Sequence, residues 1–139
     1  MFRRILIAHD GSPGGAKAFS AAMSLAASHK SELHMISVEE LPQIPASIDE
    51  VVEEKREIQR RFDKLVGHAR AEAKKQQIAF EAHVVSGHAV SKIVECVEQQ
   101  KFDLLVVGYM GHSALYNRLI GSTTDRLVEH ASCAVLVVK

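Results

Sequence analysis

The sequence predicts an α/β fold: a single doubly wound, five-stranded parallel sheet with helices on both faces. Five short apolar runs alternate with four segments of helical periodicity, and an alternation of that kind demands parallel strands joined by right-handed crossovers. The clearest runs, Leu104–Val107 and Ala134–Val138, are continuous in Val, Leu and Ala rather than alternating with polar residues, as strands covered on both faces are. At 139 residues, 47% hydrophobic and 24% charged, the chain has the size and composition of one ordinary globular domain spanning residues 1–139.

The first run, Ile5–Ala8, is followed by His9-Asp10-Gly11 and then Ser12-Pro13, a good N-cap with proline at the first helical position. The helix predicted there runs to about residue 29 and turns Phe19, Ala22, Met23 and Ala26 inward. After the second run, Leu33–Val38, a segment with Pro42 and Pro45 is either a plain connector or a lid over the strand ends. It leads to Ser47-Ile48-Asp49-Glu50, which reads as a capping box whose acidic residues suit the positive end of a helix. The long helix over about residues 49–77 carries Val51, Ile58, Phe62, Leu65, Ala69 and Ala73 on one stripe, at helical spacing. The third run, Phe80–Val85, is mixed in polarity and is expected at the periphery of the sheet. A helix over Ala89–Gln100 presents Val90, Ile93, Val94 and Val97 on one face and leads into the fourth run. The last helix, from about Ser122 to Ala131, is expected to turn Leu127, Val128 and Ala131 inward ahead of the final strand.

Composition excludes several classes of function. Seventeen basic residues balance seventeen acidic ones, so there is no broad field for nucleic acid or an anionic membrane. Cys96 and Cys133 form no CxxC pair, which suggests neither a zinc site nor a disulfide framework and points to a reducing cytoplasm. The four apolar residues after Arg3-Arg4 are too few for a signal-peptide core, and no run approaches ~18 apolar residues, so neither export nor a membrane span is expected. Of the eight histidines, only His9, His88 and His112 fall on loops at the expected strand ends. None shows HxxxH spacing, and no metal site is expected from them.

The segment after the fourth run carries the chemistry. Gly108 and Gly111 leave the strand end three residues apart, and Gly121, ten residues on, stands immediately before Ser122-Thr123 and a helix. Glycine permits close backbone approach to a ligand, and a helix start offers unpaired N–H groups and a positive dipole end to phosphate. The hydroxyls of Ser122 and Thr123 add donors. The same residues also suit turns and a helix cap, and Asp10-Gly11-Ser12 is also good turn chemistry. Both roles stay open on the residues alone.

The spacing Gly108-x2-Gly111-x9-Gly121-Ser122 resembles the G-2x-G-9x-G-[S/T] nucleotide motif of ATP-binding universal stress proteins. The resemblance covers the whole chain, from Ile5-Leu6-Ile7-Ala8-His9-Asp10-Gly11-Ser12 to Ala131-Ser132-Cys133-Ala134-Val135-Leu136-Val137-Val138. It implies strand order 3-2-1-4-5, ATP (with Mg²⁺) in a cleft at the strand ends, and a homodimer. By position it implies that Asp10 contacts the adenine and ribose side with Ala8 and His9 beside it, and that Val38 meets adenine through its backbone. Gly108 would approach the ribose, while Gly111, His112, Ser113, Gly121, Ser122 and Thr123 would hold the phosphates. Where family members often carry a basic residue before the second glycine, this chain has Met110; His112 and Arg118 are the nearby replacements.

Other α/β ligand classes fit poorly. GxxxxGK[ST] is absent, no GxGxxG follows the first strand, and the third run ends in Val84-Val85-Ser86 without the aspartate a receiver domain needs. Phosphoryl transfer requires a positioned base or a strong cationic clamp near the γ-phosphate, and the motif supplies neither. The expectation is therefore a nucleotide-responsive regulator of stress response with an unidentified protein partner. A slow ATPase or phosphate-transferring enzyme and a nucleotide-free dimeric scaffold are the alternatives. In the implied strand order the apolar, proline-free run Ala134–Val138 is a sheet edge, which invites pairing with its own copy across a two-fold axis.

Overall fold

The computed structural model describes residues 1–40, 47–109 and 122–139. Five strands and four helices alternate along it: β1 (Arg4–Ala8), α1 (Pro13–His29), β2 (Glu32–Glu39), α2 (Ile48–Lys75), β3 (Phe80–Ser86), α3 (Ala89–Gln100), β4 (Leu104–Gly108), α4 (Ser122–His130) and β5 (Ala134–Val138). The strands form one parallel sheet in the order β3-β2-β1-β4-β5. The mixed strand β3 therefore lies at one edge and β5 at the other.

The topology follows from the direction in which the chain steps across the sheet. From β1 it moves through β2 to β3, and right-handed crossovers place α1 and α2 on one face. It then crosses back to β4 and on to β5, which places α3 and α4 on the other. Alternation along the strands feeds both layers. Ile5, Ile7, Leu33, Met35, Leu104 and Val106 pack with Phe19, Ala22, Met23, Ala26, Ala69 and Ala73 on the first face. Leu6, Ile36, Leu105 and Val107 pack with Ile93, Val97, Phe102 and Leu127 on the second. Ile5, Leu6 and Ile7 are fully buried, and burying each side chain stabilises the fold by about 1.5–3 kcal/mol relative to exposure.

The helix signals act as the sequence predicts. Ser12 Oγ accepts the Gly15 amide at 3.0 Å, and Ser47 and Glu50 form a reciprocal capping box. Helix α1 ends at Lys30 and α3 at Lys101, both left-handed, their amides returning to the Ala26 and Val97 carbonyls. At the other end of the sheet, the Asp103 carboxylate accepts the Arg3 and Arg4 amides at 2.8 and 3.1 Å, tying the start of β1 to that of β4. The expected stripe of α2 is fully buried only at Phe62, Ala69 and Ala73; Val51, Ile58 and Leu65 are half-buried.

One inward assignment is corrected. Val128 is 48% exposed. Thr124 and Leu127, three residues apart on α4, form its buried face instead, and Val128 is turned about 100° from Leu127 toward solvent. Thr124 is polar, so an apolar pattern search passes over it. Its hydroxyl donates to the Gly108 carbonyl at 2.7 Å, which satisfies both groups and fastens α4 to the end of β4.

Candidate functional site

The sheet reverses its winding between β1 and β4, and at such a switch point the loops leaving the two strands diverge and open a crevice. A cavity of about 330 Å³ lies there, within the size range of small-molecule sites. Of the residues predicted for the site, Ala8, His9, Asp10, Val38, Gly108 and Thr123 line it. Ser122 opens α4 beside Thr123 and is exposed, but does not line the cavity. Gly111, His112, Ser113 and Gly121, and with them Met110 and Arg118, lie outside the described residues.

The floor at the end of β1 is held by a small hydrogen-bond network. The His9 amide donates to the Ile36 carbonyl at 3.0 Å, and the Ser37 hydroxyl donates to the His9 carbonyl at 2.7 Å. The Gly11 amide donates to His9 Nδ1 at 3.1 Å, so the neutral ring carries its proton on Nε2. Burial holds the imidazole below its ordinary pKa of 6.5; Asp10 opposes that shift and His68 adds to it. Asp10 Oδ1 accepts the Ser12 amide at 2.9 Å, the turn role expected of it, while the residue also lines the cavity.

Two glycines make the walls fit. A Cβ at Gly15 would stand 2.4 Å from His9 Nδ1, so α1 lies against the imidazole only because that position is glycine. A Cβ at Gly108 would stand 2.8 Å from the carbonyl carbon and oxygen of Gly14. Gly108 thus has a packing reason of its own, since it lets the first turn of α1 cross the end of β4 in backbone contact. It borders the cavity as well.

Helix α2 and the end of β2 contribute residues that sequence reasoning missed. Arg61 and Phe62 line the cavity from α2, and Glu39 and Glu40 line it from the end of β2. Phe62 was legible as part of the inward stripe, and Arg61 is its neighbour. Both glutamates have structural partners: Glu39 Oε2 accepts from the Ser86 hydroxyl at 3.3 Å and Glu40 Oε1 accepts the Ala89 amide, the first of α3, at 2.9 Å. His88 lines a separate groove with Arg126 and His130. The cavity therefore offers apolar walls from Ala8, Val38 and Val107 and polar groups from Asp10, Thr123 and Arg61. A flat apolar body with a polar, anionic end fits such a set.

Comparison with known proteins agrees with this architecture. Residues 1–139 match the sequence model of the Universal stress protein family. Universal stress protein YxiE of Bacillus subtilis (strain 168) is 28% identical over 151 aligned positions that cover 100% of both chains. Universal stress protein UspA from Lactobacillus plantarum superposes with a TM-score of 0.85 at 21% identity, covering 99% of this chain and 98% of that one. A universal stress protein crystallised in complex with cAMP superposes with a TM-score of 0.77 at 25% identity, covering 99% and 97% of the two chains.

Proposed function

The chain belongs to the universal stress protein family, and from that premise we propose that its cleft binds an adenine nucleotide, ATP with Mg²⁺, and that the protein acts as a nucleotide-responsive regulator of stress response. The observation that carries this reading is the cavity at the β1–β4 switch point, lined by six of the eleven residues that the sequence nominates. Ala8, Val38 and Val107 suit the faces of a purine, and Asp10 suits the hydroxyls of a ribose. Thr123 in the first turn of α4, with Ser122 and the 111–121 segment, would hold phosphates by hydroxyl and N–H donors. Arg61 offers the cation that Met110 does not. Phosphate oxygens and the Asp10 carboxylate are hard oxygen donors of the kind that Mg²⁺ takes. A related protein of the same fold crystallised with cAMP, an adenine nucleotide, which supports the base assignment.

Binding without rapid turnover is favoured. Catalysis requires a base free to orient water, and the cleft glutamates are engaged in holding β2 to β3 and to α3. Residues 1–139 act in this reading as one domain of a cytoplasmic homodimer. The two copies join through the β5 edge, where Ala134 and Leu136 are exposed. Among the described residues, no helix is long and apolar enough to cross a membrane.

Calorimetry with Mg²⁺-ATP and Mg²⁺-GTP tests the ligand. ATP is expected to bind at least about tenfold more tightly, a difference of ~1.4 kcal/mol. Absence of heat with ATP, or equal affinity for GTP, overturns the assignment. Light scattering tests the assembly separately, and a monomer at tens of micromolar overturns the dimer alone.

A further inference from the structure

Away from the cleft, strands β2 and β3 bring together a second set of polar side chains. Parallel register sets His34 opposite Glu81 and Ile36 opposite His83. The side chains of His34, Glu81 and His83 thereby share the sheet face on which Ile36 and Phe102 pack. His34 Nδ1 lies 2.9 Å from His83 Nε2 and 3.8 Å from Glu81 Oε2. All three donor atoms fall within 4.8 Å of one another. From these positions we propose that His34, His83 and Glu81 form a zinc-binding site, separate from the nucleotide cleft.

The geometry fits the ion. Zinc bonds of about 2.0–2.2 Å in a tetrahedral arrangement place neighbouring donor atoms about 3.3 Å apart. The observed separations of 2.9 and 3.8 Å lie on either side of that value and all three donor atoms fall within 4.8 Å of one another, so a turn of the exposed Glu81 and of the His83 ring brings the three onto one ion. Two imidazoles and one carboxylate select zinc-like transition ions over Mg²⁺ or Ca²⁺, which prefer all-oxygen sites. His34 is 2% exposed, whereas the Glu81 side chain is 64% exposed. The ion reaches the site from the Glu81 side and keeps water in its remaining position.

The outer shell is already built. His34 Nε2–H donates to Glu32 Oε1 at 2.8 Å, and Arg4 holds the other oxygen of Glu32 at 2.6 Å. In the neutral ring this fixes the proton on Nε2 and leaves the Nδ1 lone pair toward His83, the carboxylate–histidine arrangement that orients metal-bound imidazoles. Phe102, edge-on to His34 at 4.9 Å between ring centroids, fixes the plane of the ring. Without metal, His83 Nε2–H donates to His34 Nδ1. On binding, that bond is replaced by one nitrogen–zinc bond from each ring, and the His83 proton relocates to its Nδ1.

The test is calorimetric titration of untagged, nucleotide-free full chain with Zn²⁺, with Co²⁺ absorption as a second readout. Wild-type protein is expected to take about one equivalent of zinc and to give the intense visible bands of tetrahedral cobalt. His83→Gln and the fold-safe surface variant Glu81→Gln are each expected to bind at least about tenfold more weakly and to lose those bands. Both variants should keep wild-type ATP affinity, which makes this result independent of the cleft assignment. Failure of wild-type protein to bind at millimolar Zn²⁺, or undiminished binding in both variants, overturns the site.

Discussion

The cleft at the ends of β1 and β4 and the histidine–carboxylate group on β2 and β3 belong to the same sheet but are assembled in opposite ways. The cleft is made where strands stop. Its shape comes from backbone, from glycines that admit a crossing helix, and from short segments, such as His9-Asp10-Gly11, that follow the strand ends. The β2–β3 group is made where strands run side by side, from residues 49 apart whose meeting depends on register alone. Strand ends gather local motifs, whereas strand middles gather residues that no local pattern connects.

The largest expected effect falls on the first glycine of the motif. Gly108→Val should destabilise the fold by about 3 kcal/mol, the upper end for overpacking, because its Cβ would press on the Gly14 backbone. Urea denaturation measures it, with His83→Gln on the edge strand as the mild comparator. Wild-type stability in Gly108→Val would show that the glycine serves ligand approach rather than helix packing, and would shift its role from scaffold to site.

A smaller effect concerns the buried His9 imidazole. Its folded-state pKa is held below 6.5 by burial, so below that pH the unfolded chain binds more protons than the folded one. Stability is therefore full above pH 6.5 and declines as pH falls toward and through the folded value. Unfolding midpoints compared between pH 8 and pH 5 should fall less in His9→Gln than in wild type. An identical decline in both would assign the acid sensitivity to groups other than this floor of the cleft.

Much of the fold was legible because each element carried its own punctuation. Ser12-Pro13 and the capping box at Ser47–Glu50 start helices where the structure starts them, and the unbroken apolar run of β4 is buried on both faces as expected, whereas the same pattern in β5 leaves Ala134 and Leu136 exposed. Strand order came from family resemblance, since nothing local says which strand β1 pairs with besides β2. Within the cleft the residues themselves pointed to Gly108 and Thr123, a glycine at a strand end and a hydroxyl at a helix start, whereas Ala8, His9, Asp10 and Val38 came from the family resemblance. Arg61 was not legible, because it lies on an exposed helical position whose direction depends on how α2 packs. Thr124 was hidden by its hydroxyl, which looks like surface chemistry until its partner, the Gly108 carbonyl, is known. His34 and His83 looked like scattered histidines because their spacing reflects the length of the chain between two strands, not the distance between two rings.

The central place of β1 has a consequence for how the protein is made. Its five residues leave the ribosome before those of the other four strands, and β2 closes one side of the strand soon afterwards. The other side belongs to β4, which is completed about 100 residues later, roughly 5–20 s at ordinary synthesis rates. For that interval Ile5, Leu6 and Ile7, fully enclosed in the finished molecule, sit on a strand with one open edge, able to pair with a neighbouring nascent chain. The first-made of the five strands is thus among the last to be sealed.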